Sequence, residues 1–367
     1  MAPVFDTFIR RKNPLIHRMI KTTSTIIIIG NLLIAAIIYT AFAVYLYQPC
    51  FAGFRKVQYF FVVSIVAASA GCFLLSRRWV ASFFGSFFAG AVYGFGPFML
   101  GLANPDFHPA ASVLAASIPW FFLPAAFGPK GKLRLLRIPL ALLPCLAVIL
   151  FFQAASFYRL FPVPIQTKVK TIDLIGILSP LLAARSGLTL LGFYHIPLLV
   201  IFIGFTMMIK ARRMGTLLII VAGIVGGFCN AFFGVSPVLW LTVSFVCLAV
   251  IAGAGFDGLV LAGKADRKWI LAACFFMLLA AVAALLLATK YFQTFAGLGS
   301  GYARLFLQSA KLYLLGFLAA GAIFIFARSD LRLTALRYIL LSCILALDIF
   351  LSAQYIVDRL FINISSV

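Results

Sequence analysis

Apolar residues fill this chain in long blocks, with the polar positions gathered into short runs between them. Neither the alternation of a half-buried strand nor the one-sided stripe of a soluble helix describes such blocks. About 20 consecutive apolar residues do suit a helix crossing a hydrocarbon layer roughly 30 Å thick. At that length the pattern predicts eleven spans, near 24–47, 57–76, 79–103, 110–127, 138–158, 188–209, 216–234, 236–261, 269–289, 309–328 and 337–357. The fold class expected is all-α, a polytopic transmembrane helical bundle of about 11 spans. Within 216–261 only Gly234 and Pro237 mark a boundary, and a single kinked span there would invert everything after it.

The polar runs orient the bundle. Twenty of the 30 Lys and Arg fall at the amino terminus (Arg10, Arg11, Lys12, Arg18, Lys21) and in alternate loops. Those loops hold Arg77/Arg78, Lys130/Lys132/Arg134/Arg137, Lys210/Arg212/Arg213, Lys264/Arg267/Lys268 and Arg328/Arg332/Arg337. The remaining ten are Arg55, Lys56, Arg159, Lys168, Lys170, Arg185, Lys290, Arg304, Lys311 and Arg359. Lys and Arg concentrate on the cytoplasmic side of membrane proteins, so the expected topology is amino terminus in, carboxyl terminus out. The domain organisation follows: a cytoplasmic basic segment 1–23, a transmembrane helical domain 24–357 whose longest outside loop is 159–187, and an outside tail 358–367. An A-x-A site at Ala41–Ala43 follows an apolar run longer than a cleaved signal usually has, so the first block is expected to remain a span.

Composition then excludes whole classes of function. Only 10% of the 367 residues are charged and 64% are hydrophobic, against about 25% charged in a soluble domain. A net charge of +22 would point to nucleic acid, but a mean hydropathy of +1.14 leaves no soluble basic surface to bind it, and no nucleic-acid partner is expected. Membrane lipids are the expected partners, with other membrane subunits if the chain belongs to a complex, and the expected location is a bacterial cytoplasmic (inner) membrane. All eight acids are Asp, so acid-base chemistry has few candidates. The seven cysteines contain no CxxC pair, which argues against structural zinc and disulfides.

Several polar residues stand out against this background. Asn104-Pro-Asp106-Phe-His108-Pro sets an acid and an imidazole two residues apart in an outside turn. Asp106 there suits a base or a divalent-cation ligand with His108 assisting, and the same residues also suit ordinary turn and helix-cap chemistry. Arg159, Lys168, Lys170 and Arg185 share the long outside loop, where they suit a lipid phosphate or anionic headgroups in general. The stretch 171–185, apolar between Asp173 and Arg185, reads as a short interfacial helix bent at Pro180, and Lys290–Gln308, with three glycines, reads as a mobile outside segment. His195 lies about a third of the way into span six, with no second His at similar depth for a bis-His haem. Asp348 sits near the middle of the last span with no evident basic partner, so it should be protonated or paired, and proton or ion coupling is one use of such a group. Asp257, at a helix end, is expected to pair with Lys264 or Arg267. Gly90/Gly94, Gly223/Gly227 and Gly253/Gly255/Gly258 suit close helix packing.

Tyr93–Gly101, the following Asp106/His108 turn and Ile118-Pro-Trp120 resemble the outside turn between the third and fourth spans of polytopic GT-C type glycosyltransferases, particularly the YfhO-like proteins. Ser236–Trp240 through Ala252–Asp257 is similar to that family's late Ala-Gly-x-Gly helix. The resemblance implies transfer of a sugar from a polyprenyl-phosphate donor at the outer face, with an acid in the first outside loop as base. That loop, Gln48–Lys56, carries no acid here, which leaves Asp106 to take the role or makes the chain a degenerate member. The alternative reading is a noncatalytic subunit or scaffold of a larger membrane complex, or a small-solute or ion transporter using Asp348.

Overall fold

The computed structural model describes residues 14–53, 59–102, 109–128, 136–157, 169, 171–186, 190–210, 214–229, 235–263, 266–295, 302–328 and 334–362. Among these, helices account for nearly everything. They are α1 (Pro14–Tyr47), α2 (Tyr59–Ser76), α3 (Phe83–Gly94), α4 (Pro97–Leu102), α5 (Pro109–Phe127), α6 (Arg137–Phe157), α7 (Ile175–Leu178), α8 (Pro180–Ser186), α9 (His195–Lys210), α10 (Met214–Phe228), α11 (Pro237–Val260), α12 (Arg267–Leu287), α13 (Lys290–Phe295), α14 (Ala303–Arg328) and α15 (Thr334–Val357). The protein is an all-α polytopic membrane bundle. Among the described residues seven segments, not about eleven, are long and apolar enough to cross a membrane: Ile27–Phe51, Tyr59–Ser76, Phe83–Leu102, Pro237–Val260, Arg267–Leu287, Ala303–Phe326 and Thr334–Leu360. The other four expected spans coincide with shorter apolar helices at Ala111–Phe127, Arg137–Phe151, His195–Lys210 and Gly215–Phe228. Helices α5 and α6 cover 110–127 and 138–157 in full, whereas 188–209 begins with non-helical backbone at 190–194 and 230–234 lies outside the described residues.

Of α11 and α15, α11 is the more central, and α15 keeps one face exposed at Leu336, Ile339, Leu347 and Leu351. α11 packs on α3, α9 and α10, while α15 touches α1, α3, α4, α8, α9, α11 and α14. α10 and α11 are separate helices laid against each other, with the Ser244 hydroxyl donating to the Ile220 carbonyl at 2.7 Å, so 216–261 is not one kinked span. Where α3 crosses α11, a side chain on Gly253 would meet the Gly85 carbonyl at 2.5 Å, and only hydrogen fits between the two backbones. Such close approach lets dispersion and backbone contacts hold helices together where lipid supplies no hydrophobic driving force.

Two buried charged side chains satisfy helix ends. Asp257, near the end of α11, accepts the Ala81 and Ser82 amide hydrogens, both at 3.1 Å, and the Ser82 hydroxyl, while Ser82 caps α3 by accepting from Gly85 at 2.8 Å. It is thus bound to a helix start and not to Arg267, while Lys264 lies outside the described residues; unsatisfied N–H groups at a helix start are strong partners for a buried carboxylate. Arg337, counted above among the loop cations, is 7% exposed and donates to Val260 and Ala262 at the end of α11 and to Phe326 near the end of α14. A cation at two helix carboxyl termini answers both their orphan carbonyls and their dipoles. Asp257→Ala is expected to destabilise the protein by about 2–4 kcal/mol by stripping two α3 amides of their acceptor, read as a lower melting temperature in detergent.

Two helices are interrupted. α3 stops at Gly94 and α4 restarts at Pro97, whose missing N–H and ring prevent a continuous helix. The second interruption spans 171–194: a 3-10 turn (Thr171–Leu174), α7, a break at Ser179, α8, and non-helical backbone at 190–194 before α9. The short helix expected to bend at Pro180 is present as α7 and α8, with Leu181, Leu182 and Ala183 fully buried and Leu174 and Ile177 exposed. The chain folds back so that Gly192, with φ of 122°, lies against α7, where an added Cβ would meet the Gly176 carbonyl at 2.7 Å. Gly192→Ala combines left-handed strain with a backbone clash, and an expected loss of about 2–4 kcal/mol is measurable as reduced thermal stability. Within Lys290–Gln308, α13 and the start of α14 are helical, and the buried Gln293 accepts from the Tyr302 amide at 3.3 Å; the glycines at 297, 299 and 301 lie outside the described residues.

Candidate functional site

The start of α9 is built around one carboxylate, and Tyr194 ties it to the break between α3 and α4. α9 begins with Tyr194 in the cap position and His195 and Ile196 as its first helical residues, and the Tyr194 carbonyl takes the Leu198 amide at 3.2 Å. A tyrosine side chain is too long and rigid to cap its own helix as Ser, Asp or Asn does. Asp348 supplies the cap from α15: its Oδ2 accepts the Ile196 amide at 2.6 Å, and its Oδ1 accepts from His195 Nδ1 and from the Ser352 hydroxyl, each at 3.2 Å. Asp348 and His195 are both fully buried, and the positive end of the α9 dipole points at the carboxylate. The acid that seemed to lack an intramembrane partner has one 153 residues away in the chain.

Tyrosines close the remaining breaks. Tyr194 donates to the Phe95 carbonyl, left free where α3 ends, at 2.7 Å. Tyr313 donates to the Leu178 carbonyl at the end of α7 at 2.9 Å, and its ring stands edge-on to His195 with centroids 4.8 Å apart. Non-helical backbone at membrane depth persists only where protein groups satisfy it, and Asp348, Tyr194 and Tyr313 do so here. With the carboxylate ionised, His195 Nδ1 carries the hydrogen, which leaves Nε2 a bare acceptor. That Nε2 is buried with no hydrogen-bond partner among the described residues. A bare imidazole nitrogen can accept a hydrogen from a water or a solute.

The other sequence-based candidates are placed less fully. Asp106, His108, Arg159, Lys168 and Lys170 lie outside the described residues, as does the side chain of Arg185, whose backbone forms the end of α8. His195 is not a third of the way into a span but opens α9, because Gly192 and the extended 190–194 backbone precede it. Among the described residues no three His, Cys, Asp or Glu side chains gather as a metal site, and the divalent cation expected at Asp106 falls on undescribed residues. Tyr194, Tyr313 and Ser352 were missed; the legible signal was Gly96-Pro97 and Gly192, helix breakers inside apolar blocks.

Among the described residues that carried the family resemblance, several serve packing. Tyr93 donates to the Ala115 carbonyl at 2.7 Å, Phe98 stacks on Phe245 with centroids 4.2 Å apart, and Ala252–Asp257 lies within α11. No family model matches the chain, and neither a curated protein nor a solved structure matches it.

Proposed function

We propose that the protein is a membrane transporter that couples movement of a small solute to protonation of the Asp348–His195 pair. What supports this reading is a buried acid at the start of α9 beside an imidazole whose second nitrogen has no partner among the described residues, with Tyr194 linking the pair to the break between α3 and α4. Discontinuous helices place free backbone groups and half-helix dipoles at the binding site of secondary transporters, and intramembrane Asp and His serve as proton relays. Protonation of the carboxylate weakens its hold on the α9 amino terminus, so charge at Asp348 and the packing of α9 against α15 are linked. The test is the full chain reconstituted in lipid vesicles, with an inward proton gradient, an internal pH-sensitive dye, and amino acids, sugars and carboxylic acids supplied in turn. Saturable proton entry started by one class supports the reading, and entry no faster than in empty vesicles with every class contradicts it.

A second reading, transfer of a sugar from a polyprenyl-phosphate donor at the outer face, draws support from one observation. Gly101 in α4 lies against Leu190, where an added Cβ would approach the Leu190 Cβ to 2.7 Å. Asp106 follows Gly101 by five positions and Arg185 precedes Leu190 by five, so the acidic turn and the basic loop leave the bundle from neighbouring points. In that reading Asp106 is the base, His108 assists, and Arg159, Lys168, Lys170 and Arg185 hold the donor phosphate. Asp106→Asn is expected to abolish glycolipid transfer by the purified chain, and unchanged turnover removes Asp106 from the role. Amino-terminus-in topology, with the tail from 358 outside, belongs to both proposals and is checked by cysteine accessibility at the two ends.

A further inference from the structure

A cleft of about 420 Å³ opens at one end of the bundle, between α2, α5 and α6 on one side and α9 and α10 on the other, with α11 as its floor. Its floor runs from Ala254 to Val246, eight residues or about 12 Å of helix, close to the roughly 15 Å depth of half a hydrocarbon core. The walls are apolar through that depth, with Phe122 among them. The mouth is different. Arg137, the first residue of α6, lines it and donates to the Gly128 carbonyl just past α5 at 3.0 Å, which fixes the guanidinium between the two helices. Trp79, 44% exposed and just past the end of α2, stands beside it. Arg78, next to Trp79, is also exposed, and no acid lines the cleft among the described residues.

An apolar slot one leaflet deep with an arginine and an interfacial tryptophan at its entrance matches a single chemistry. We infer that the cleft holds an acyl chain of an anionic membrane phospholipid, with the lipid phosphate against Arg137. Arginine pairs a phosphate through two parallel N–H donors, and basic pockets between membrane helices select anionic headgroups. The apolar floor takes the chain without asking for any polar contact. The cleft is lined by neither His195 nor Asp348, so this site stands or falls independently of the transport reading.

The test is native mass spectrometry of the full chain, purified in mild detergent and offered phosphatidylglycerol or phosphatidylcholine with identical acyl chains. The wild type is expected to retain one phosphatidylglycerol at least tenfold more readily than phosphatidylcholine. Arg137→Gln removes that preference, and Ala254→Leu, which fills the floor, removes retention. Ala141→Phe fills the slot from the α6 wall and serves if the floor variant fails to fold. Equal retention of the two lipids by the wild type, no retention of either, or wild-type retention by the cleft-filling variants overturns the inference.

Discussion

Replacing Asp348 with Asn is expected to reduce solute-driven proton entry to the level of empty vesicles while the protein still folds. The amide oxygen still accepts the Ile196 hydrogen, so the α9 amino terminus keeps its cap. The amide nitrogen then faces His195 Nδ1 and Ser352, which forces the imidazole to accept at Nδ1 and carry its hydrogen on Nε2. The pair loses its charge and the free nitrogen changes from acceptor to donor. A stability loss of about 1–3 kcal/mol leaves enough folded protein to assay. Transport at wild-type rate by Asp348→Asn would reduce Asp348 to a helix cap.

His195→Asn gives the second large effect and separates structure from proton exchange. The Asn side chain places an N–H near the position of Nδ1, so the bond to Asp348 is retained, but nothing replaces Nε2. Loss of the ring against Tyr313 costs about 1–2 kcal/mol. Melting in detergent is therefore expected to stay close to wild type while solute-driven proton entry is lost. Normal coupling with an Asn at this position would show that the unclaimed nitrogen has no part in the chemistry.

These two residues also show how far the sequence could be read. Each stood out as an ionisable group in an apolar block, which the energetic cost of burying charge makes conspicuous. Their pairing did not, because it joins α9 to α15 across 153 positions and no local pattern records such a contact. Asp257 was assigned a partner by proximity in sequence, yet it caps a helix whose first residues lie 175 and 176 positions away. The membrane bundle itself was legible from block length alone. Where α9 starts was not, since hydropathy scores apolar residues alike whether they form helix or the non-helical backbone around Gly192. The glycine spacings were informative, because close backbone approach demands the absence of a side chain, as at Gly85 and Gly253.

The central claim is that the Asp348–His195 pair exchanges a proton with its surroundings despite complete burial. Infrared difference spectroscopy on the full chain in vesicles, taken across a pH step, tests it most directly. The claim predicts a protonated-carboxyl carbonyl band that appears on acidification, is absent in Asp348→Asn, and is accompanied by imidazole changes that vanish in His195→Asn. Identical difference spectra from the wild type and Asp348→Asn would contradict it.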